Sequence, residues 1–353
     1  MSLPDTLQAL LTTPGPSGRE AAAAEVFRAA CRPLADEVRA DVNGSTVATL
    51  RGTGGGKSVA IIGHIDEIGV IVTHVDDKGL LWFSGVGGWD PMQLVGQRVE
   101  LLTSGGGVVR GVVGRKPIHL IEPDERSKAP KLKDLHIDIG AADGAEAKAL
   151  VEVGDVGVII AEPLELLGGR YASRSMDNRL GCYIAWEALR IVKAAGGAPG
   201  DFHACAVVQE ESGLNGARTT AHKLRPDVAI VVDVTHATDV PGVSEHENGS
   251  HGLGSGAVIF RATGLHPAVS RGLVDTAKKD EIPYTLEATG RGTGTDADSV
   301  AISRDGIPVS VVSIPLRYMH STVEVVDMAD VDACARLCAA YALGLAADTS
   351  FER

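Results

Sequence analysis

The sequence predicts an α/β fold: a sheet covered by helices on both faces, interrupted by a small β-rich unit. Three observations support this prediction. The 353 residues exceed the usual size of a single hydrophobic core. Long helical patterns alternate with buried-strand patterns after Arg174, whereas short valine- and leucine-rich runs separated by glycine turns fill the stretch between residues 70 and 160.

The first elements lie before residue 67. Ser17 and Glu20 have the spacing of a capping box, and the alanine-rich run that follows predicts a surface-packed helix that Pro33 ends. The β-branched run over residues 59–62 is too short for a helix and is bounded by glycines. It predicts a buried strand that ends at His64.

The β-rich unit consists of short apolar runs, with DDKG and SGGG turns between them. These runs are GVIVTHV, GLLWFSGV, RVELLT, GVVRGVVG and VGVII. Between the last two lies the mixed-charge stretch EPDERSKAPKLKD, which is typical of a solvated loop and less often of a partner contact.

Helices and strands alternate again from Arg174 onward. We predict helices over residues 178–193, 217–224, 267–279 and 331–345, with strands at HACAVVQ, VAIVVDV, GAVIFRA, IPYTLEA and PVSVVSIP. The simplest organisation is one α/β domain from residues 1–67 and 168–353, interrupted by an inserted β domain over residues 68–167.

Composition excludes several classes of protein. No apolar run approaches the ~20 residues that span a bilayer, and the N-terminus lacks a basic region of the kind that begins a signal peptide. A formal net charge of −13 disfavours binding to nucleic acid or anionic membranes. The five cysteines lack CxxC spacing, and even the pair Cys334 and Cys338 fits core packing better than metal binding. We therefore expect a soluble cytoplasmic protein with reduced cysteines.

Polar residues follow the apolar runs at several strand ends, where open α/β sheets bind ligands. A further carboxylate, Asp177, lies just before the helix predicted from residue 178, where the helix dipole favours it. These candidates could converge on one sheet edge: His64, Asp66, Glu67, Asp177, Glu210, Glu211, Asp233 and His320.

Taken singly, most of these residues have ordinary explanations. A lone histidine is more often a hydrogen-bonded core residue, and Asp177 or Asp233 alone fits a helix cap or a turn. The adjacent pair Glu210 and Glu211 is different, because two neighbouring carboxylates repel each other unless they are solvated, protonated or neutralised by a cation. Two histidines and several carboxylates together suit Zn²⁺, Co²⁺ or Mn²⁺.

Six strings in order along nearly the whole chain carry a family resemblance: GHIDEIG, SMDNR, QEESGLNGA, DVTHATDVPG, GTGTDADS and RYMHS. With them, the sequence resembles the tetrahedral (TET) dinuclear aminopeptidases, which include glutamyl aminopeptidases and proteins once labelled cellulase M. The resemblance implies a mixed sheet sandwiched by helices, of the dinuclear zinc peptidase type, and an inserted small β-barrel or PDZ-like domain.

The resemblance also implies a role for each site residue. Asp177 would bridge two divalent metal ions, His64 and Asp233 would complete one metal site, and Glu211 and His320 the other. Glu210 would be the general base. Asp66 would be the catalytic carboxylate that supports His64, through the imidazole nitrogen that faces away from the metal. The Asp177–Asn178 peptide bond would be cis.

Short peptides would be the substrates, and the inserted domain would form dimers that assemble into a tetrahedral dodecamer. A deacylase or other amidohydrolase using the same site is the main alternative. A glycosidase would need two carboxylates and no metal, and a noncatalytic scaffold fits poorly with a full ligand set. Ser212, Asn215 and the segment EHENGSHG depart from the family pattern, which bears on substrate preference.

Two further features of the sequence fit structural roles. The glycine-rich TGRGTGTDADS lacks the GK[ST] ending of a phosphate-binding loop and precedes no clear helix, so we expect a turn that lines the peptide cleft. His119, in the insertion, fits a structural role better than a catalytic one.

Overall fold

The computed structural model describes residues 3–352. Its helices are α1 (Asp5–Thr12), α2 (Ala21–Cys31), α3 (Pro91–Leu94), α4 (Gly144–Leu150), α5 (Met176–Ala194), α6 (Asn215–Leu224), α7 (Glu245–Asn248), α8 (Pro267–Lys279), α9 (Ala297–Ala301) and α10 (Met328–Leu343). Short 3₁₀ turns lie at Ile118–Leu120 and Leu132–Asp134. None of the helices described is long and apolar enough to cross a membrane.

The strands, in chain order, are β1 (Glu37–Ala40), β2 (Thr46–Leu50), β3 (Val59–His64), β4 (Gly69–Val75), β5 (Leu80–Val86), β6 (Arg98–Leu102), β7 (Val108–Gly114), β8 (His136–Asp138), β9 (Val156–Ile159), β10 (Leu164–Glu165), β11 (Arg170–Ser173), β12 (Phe202–Val207), β13 (Val228–His236), β14 (Ala257–Ala262), β15 (Tyr284–Thr289), β16 (Val309–Leu316) and β17 (Glu324–Asp327).

The main sheet is mixed, as the sequence predicts. Over residues 3–352 it has eight strands in the order β1-β2-β12-β3-β13-β16-β14-β15. Strands β12, β3, β13 and β16 are parallel neighbours, and β14 pairs antiparallel with β16. Their valine- and isoleucine-rich sequences are almost wholly buried because helices cover both faces. Helices α1, α2, α5, α8 and α10 pack on one face, and α6 and α9 on the other.

A second unit lies between β3 and β10 in the chain. Strands β4, β5, β8, β7, β6 and β9 close into a barrel with a hydrophobic core of its own. The predicted small β-barrel is therefore confirmed. The exact division of the chain at residues 68 and 167 stays a prediction. A small three-stranded sheet, β10-β11-β17, was not predicted.

The predicted capping box before α2 is wrong. Glu20, not Ser17, is the residue that directly precedes α2, and its side chain does not cap the helix. The Glu20 carboxylate instead accepts hydrogen bonds from the backbone N–H groups of Gly18 and Gln209. The Ser17 hydroxyl pairs with Ser212. These two side chains join the N-terminal segment to the loop after β12, and this tertiary contact outweighs the local cap.

Candidate metal centre

The parallel strands bring their carboxyl ends to one edge of the main sheet. The last residues of β12 and β3 are level, since Val207 pairs with His64. Glu210 and Glu211 follow β12 in the next turn. Asp233 lies inside β13, which continues to His236, so the predicted strand VAIVVDV was two residues short. The edge is nevertheless shared, and these side chains meet there.

Asp177 lies between the two histidines. One of its carboxylate oxygens is 3.1 Å from His64 Nε2, and the other is 3.4 Å from His320 Nε2. Asp177 and Asn178 have non-helical dihedrals within α5, and the peptide bond between them is cis, as the resemblance implies. The Asp177 carboxylate, near the start of α5, faces both imidazoles.

The remaining predicted ligands complete two groups. Glu211 Oε1 lies 3.2 Å from His320 Nε2, and Asp233 Oδ1 lies 4.0 Å from His64 Nε2. Two sets of potential ligand atoms each fit within 4.8 Å: His64 with Glu210 and Asp233, and His64 with Asp177 and Glu211. These sets differ from the predicted division of ligands, because they include Glu210 and leave out His320. The nitrogen and oxygen donors suit a borderline divalent cation.

Asp66 sits behind this cluster and is fully buried. The His64 Nδ1 atom lies 3.2 Å from the Asp66 carbonyl oxygen and 3.5 Å from its carboxylate. The carboxylate also accepts hydrogen bonds from the backbone N–H groups of Glu210 and Glu211, at 3.1 Å each. Asp66 therefore orients the imidazole and the acidic turn together.

The turn after β12 brings both glutamates to the same side. Gln209 has a φ of 58°, and the Gly213 N–H donates to the Glu210 carbonyl at 2.9 Å. In a regular strand the two adjacent side chains would face opposite ways. The turn therefore lets both carboxylates line the same cavity.

The electrostatics of the cluster favour a bound cation. Burial raises the pKa of Glu210 to about 7, although His64 opposes the shift, and burial raises the pKa of Asp233 well above its usual value. Hydrogen bonds to Asp177 and Glu211 raise the pKa of His320 to about 11. Buried carboxylates that repel one another gain most from a nearby positive charge.

Two residues at the site were missed by the sequence reasoning. Glu324 is buried, and its carboxylate accepts hydrogen bonds from the backbone N–H groups of Asp177, at 3.2 Å, and His320, at 2.9 Å. The Gly88 carbonyl accepts from His320 Nδ1 at 2.8 Å, which leaves Nε2 for the cluster. Glu67, which follows β3, instead binds Arg174 and Arg179 beneath the site.

The cluster lines a cavity of about 470 Å³. Thr293, Gly294 and Thr295 also line it, so the glycine-rich segment is a cleft-lining turn, as predicted. The helix α9 does follow this turn, contrary to the expectation of no helix. The Asp298 carboxylate accepts from the N–H groups of Thr293 and Gly294, which makes the turn unsuitable for a phosphate.

The remaining features lie elsewhere. The cysteines are all free and buried, as predicted, and Cys334 lies against the Ser313 carbonyl. The mixed-charge loop over residues 122–134 is largely exposed. His119 is exposed in the turn Ile118–Leu120, and its structural role stays a prediction.

Comparison with known proteins gives a consistent result. Residues 44–337 match the M42 glutamyl aminopeptidase family. The chain is 33% identical to lysyl aminopeptidase of Pyrococcus furiosus over 342 residues, covering 95% of each chain. An aminopeptidase of the archaeon Desulfurococcus kamchatkensis superposes with a TM-score of 0.90 at 36% identity, covering 97% of this chain and 94% of that one.

A third relative is the Pyrococcus horikoshii TET1 peptidase, which can assemble into a tetrahedron or a large octahedral shell. It superposes with a TM-score of 0.85 at 30% identity, covering 97% of this chain and 99% of that one. The predicted resemblance and aminopeptidase activity are confirmed, and the deacylase alternative is not favoured. Because the match extends over most of its length, this chain belongs to the M42 glutamyl aminopeptidase family.

Proposed function

We propose that this aminopeptidase releases N-terminal residues from short peptides by using two divalent metal ions at the candidate metal centre. The position of Asp177 carries the proposal. Its two carboxylate oxygens face different histidines, His64 at 3.1 Å and His320 at 3.4 Å. A carboxylate placed in this way suits a bridging role between two metal sites.

The donor set fits such a pair of ions. His64 and Asp233 would hold one ion with Asp177, and Glu211 and His320 would hold the other. Zn²⁺, Co²⁺ or Mn²⁺ would suit this site, because the ligands are imidazole nitrogens and carboxylate oxygens. When bound, a pair of such ions lowers the pKa of a water molecule and polarises the scissile carbonyl.

Glu210 is the proposed general base. Its carboxylate lines the cavity beside the proposed ligands, with Glu210 Oε2 3.9 Å from His64 Nε2. It would accept a proton from water and deliver it to the amine of the leaving peptide. Asp66 would hold the backbone of Glu210 through its 3.1 Å hydrogen bond.

A pair of isosteric variants tests this division of roles. We expect Glu210→Gln to keep both metal ions while kcat falls roughly 10² to 10⁴-fold, because only proton transfer is lost. Glu211→Gln should lose metal as well as activity. The measurement is metal content per subunit alongside kcat for an aminoacyl-p-nitroanilide.

The adjacent glutamates serve as controls for each other, since they share the same turn and the same contact with Asp66. Near-normal turnover in Glu210→Gln would contradict the assignment of the base. If Glu210→Gln loses metal and Glu211→Gln keeps it, then Glu210 is the metal ligand and Glu211 is the general base.

The reaction class has a separate test. Release of N-terminal residues from peptides, without cleavage of N-acyl amino acids, separates the aminopeptidase from the deacylase alternative. A glycosidase would retain its activity with a chelator, because its two carboxylates need no metal.

The proposal extends to assembly and location. We infer that the inserted domain over residues 68–167 forms dimers and that these build a tetrahedral dodecamer. Large apolar side chains that are exposed in residues 3–352 concentrate in this domain, as expected of an interface: Met92, Val95, Val108, Val112, Ile118, Leu120, Leu150, Val153, Leu164, Leu166 and Leu167. The free cysteines fit a reducing compartment, and we propose the cytoplasm.

A further inference from the structure

One carboxylate in the cavity, Glu287, is not used by the proposed mechanism. Glu287 lies on β15, opposite Phe260 of the neighbouring strand β14, and both residues line the same cavity as the metal centre. Its side chain is only 14% exposed. A leaving peptide needs an open path to solvent, so this secluded part of the cavity suits the side chain of the N-terminal residue.

One hydrogen bond fixes the Glu287 carboxylate, and a buried histidine lies beside it. The Thr235 hydroxyl donates to Glu287 Oε2 at 2.6 Å. His251 Nε2 lies 3.6 Å from the same oxygen and is hydrogen-bonded to the Asn248 carbonyl. His251 is fully buried, and its other ring nitrogen lies 3.2 Å from the Thr285 hydroxyl. His251 belongs to the segment EHENGSHG, in which the resemblance implies a departure from the family pattern, and this segment lies against a cavity residue.

Glu287 lies at a different part of the cavity wall from the proposed metal ligands. It is on β15, three strands away from β13, which carries Asp233, in the order β13-β16-β14-β15. A charged group that reaches Glu287 from a substrate bound at the metal centre therefore needs a long stem, as lysine and arginine have.

The charge of this part of the cavity favours a cation. Among the described residues that line the cavity there is no lysine or arginine. Burial raises the pKa of Glu287, whereas the hydrogen bond from Thr235 and the nearby His251 lower it. A basic side chain would stabilise the ionised form of Glu287, and an acidic one would be repelled.

We propose that Glu287 is a specificity residue that selects substrates with lysine or arginine at the N-terminus. This inference rests on the proposed function, because it assigns the side-chain site of the same metal-dependent aminopeptidase. The ammonium or guanidinium group would donate a charge-assisted hydrogen bond to Glu287. Phe260 and Met319, which also line the cavity, offer apolar surface for the stem.

The free α-amine of the substrate is the other possible partner of Glu287. The amine is attached to the carbon next to the scissile carbonyl, so it must lie close to the metal centre. Glu287 instead lies on β15, three strands away from β13, which carries Asp233. The amine is also common to all substrates, so the two roles predict different patterns of loss.

The test compares lysyl-, arginyl-, leucyl- and glutamyl-p-nitroanilides with the full-length, metal-loaded enzyme. We expect kcat/KM for the lysyl and arginyl substrates to exceed that for the glutamyl substrate. In Glu287→Gln, the ratio of lysyl to leucyl kcat/KM should fall about tenfold or more, mainly through a higher KM, because a charged hydrogen bond is lost. Glu281→Gln, an exposed carboxylate in the turn before β15, is the control and should keep the wild-type ratio.

Each other result overturns the inference in a recognisable way. An unchanged lysyl-to-leucyl ratio in Glu287→Gln excludes the specificity role. An equal loss for all substrates assigns Glu287 to the α-amine. If the wild-type enzyme prefers leucyl or glutamyl substrates, only this inference fails, whereas hydrolysis of none of the four substrates removes the proposed function together with it.

Discussion

At the scale of single residues, two buried carboxylates organise the metal centre without belonging to its predicted ligands. The Asp66 carboxylate accepts hydrogen bonds from the backbone N–H groups of Glu210 and Glu211. The Glu324 carboxylate accepts hydrogen bonds from those of Asp177 and His320. Each therefore fixes two functional residues at once. Their own charges also add to the negative field that a metal pair would neutralise.

Because Glu324 holds the backbone of two proposed metal ligands, its replacement should weaken metal binding. Glu324→Gln keeps the size of the side chain, but it replaces one acceptor oxygen with an amide that cannot accept from a backbone N–H. We expect metal affinity to fall about 10- to 100-fold, as on loss of other groups that orient metal ligands. Titration of the variant with Zn²⁺, followed by metal analysis, measures this change.

Asp330 provides a matched control for Glu324. It is also a buried carboxylate that accepts two backbone hydrogen bonds, from Gly254 and Gly256 at 2.7 Å each, but it lies on α10 away from the metal centre. Asp330→Asn should lower thermal stability and keep the wild-type metal affinity. Equal metal affinities in Glu324→Gln and wild type would show that Glu324 does not position the ligands.

The sequence located the site residues whose position follows from strand order. His64, Glu210 and Asp233 follow or end apolar runs, and parallel strands place such residues on one edge. Glu324 could not be found in this way, because it begins β17 in a separate small sheet. Its partners are backbone groups, which carry no signal in a single sequence. The Gly88 carbonyl was missed for the same reason.

At the scale of elements, close packing between β3 and α5 sets the distance between His64 and Asp177. Gly63 precedes His64, and a Cβ atom at Gly63 would lie 2.3 Å from the backbone of Gly181. No larger residue fits there without moving the helix. The close contact of strand and helix brings the last residue of β3 beside the start of α5.

The helices and strands with strong local sequence patterns were predicted best. Buried strands such as β3 and β13 stand out as β-branched runs, and α8 was predicted at its observed bounds. The helix α10 begins three residues earlier than predicted, because Asp327 caps it. The short elements α1, β1 and β2 were missed, since their stability comes from packing against the rest of the domain.

The outer surface of the barrel is the proposed dimer interface. Val108 and Val112 are 57% and 49% exposed on β7, where they share one outward face. If this domain forms the dimer, replacing both with lysine should split the assembly, because buried charges would face the partner. Light scattering measures the mass, which we expect to be twelve times the 36.6 kDa subunit in wild type and smaller in the double variant.

Ile302→Lys is the control for this experiment, since Ile302 is 72% exposed but lies in the α/β domain. This variant should assemble like wild type. A wild-type protein that remains a monomer would contradict the proposed assembly. If only Ile302→Lys splits the assembly, the interface lies in the α/β domain.

At the scale of the whole molecule, charge and architecture act together. A net charge of −13 and a cavity rich in carboxylates favour divalent cations and basic peptides over polyanions. The α/β domain supplies the predicted ligands, and the barrel segment contributes the Gly88 carbonyl that orients His320. The site therefore depends on both units, which explains why its full geometry could not be derived from either part of the sequence alone.

Peptide hydrolysis by this protein should require two metal ions per subunit. To test this, the enzyme is stripped with a chelator and Zn²⁺ or Co²⁺ is titrated back, while bound metal and lysyl-p-nitroanilide hydrolysis are measured on the same samples. We predict no activity in the stripped protein and full recovery as the second ion binds. Peptidase activity that persists in the stripped protein, or that is complete with one ion per subunit, would contradict the claim.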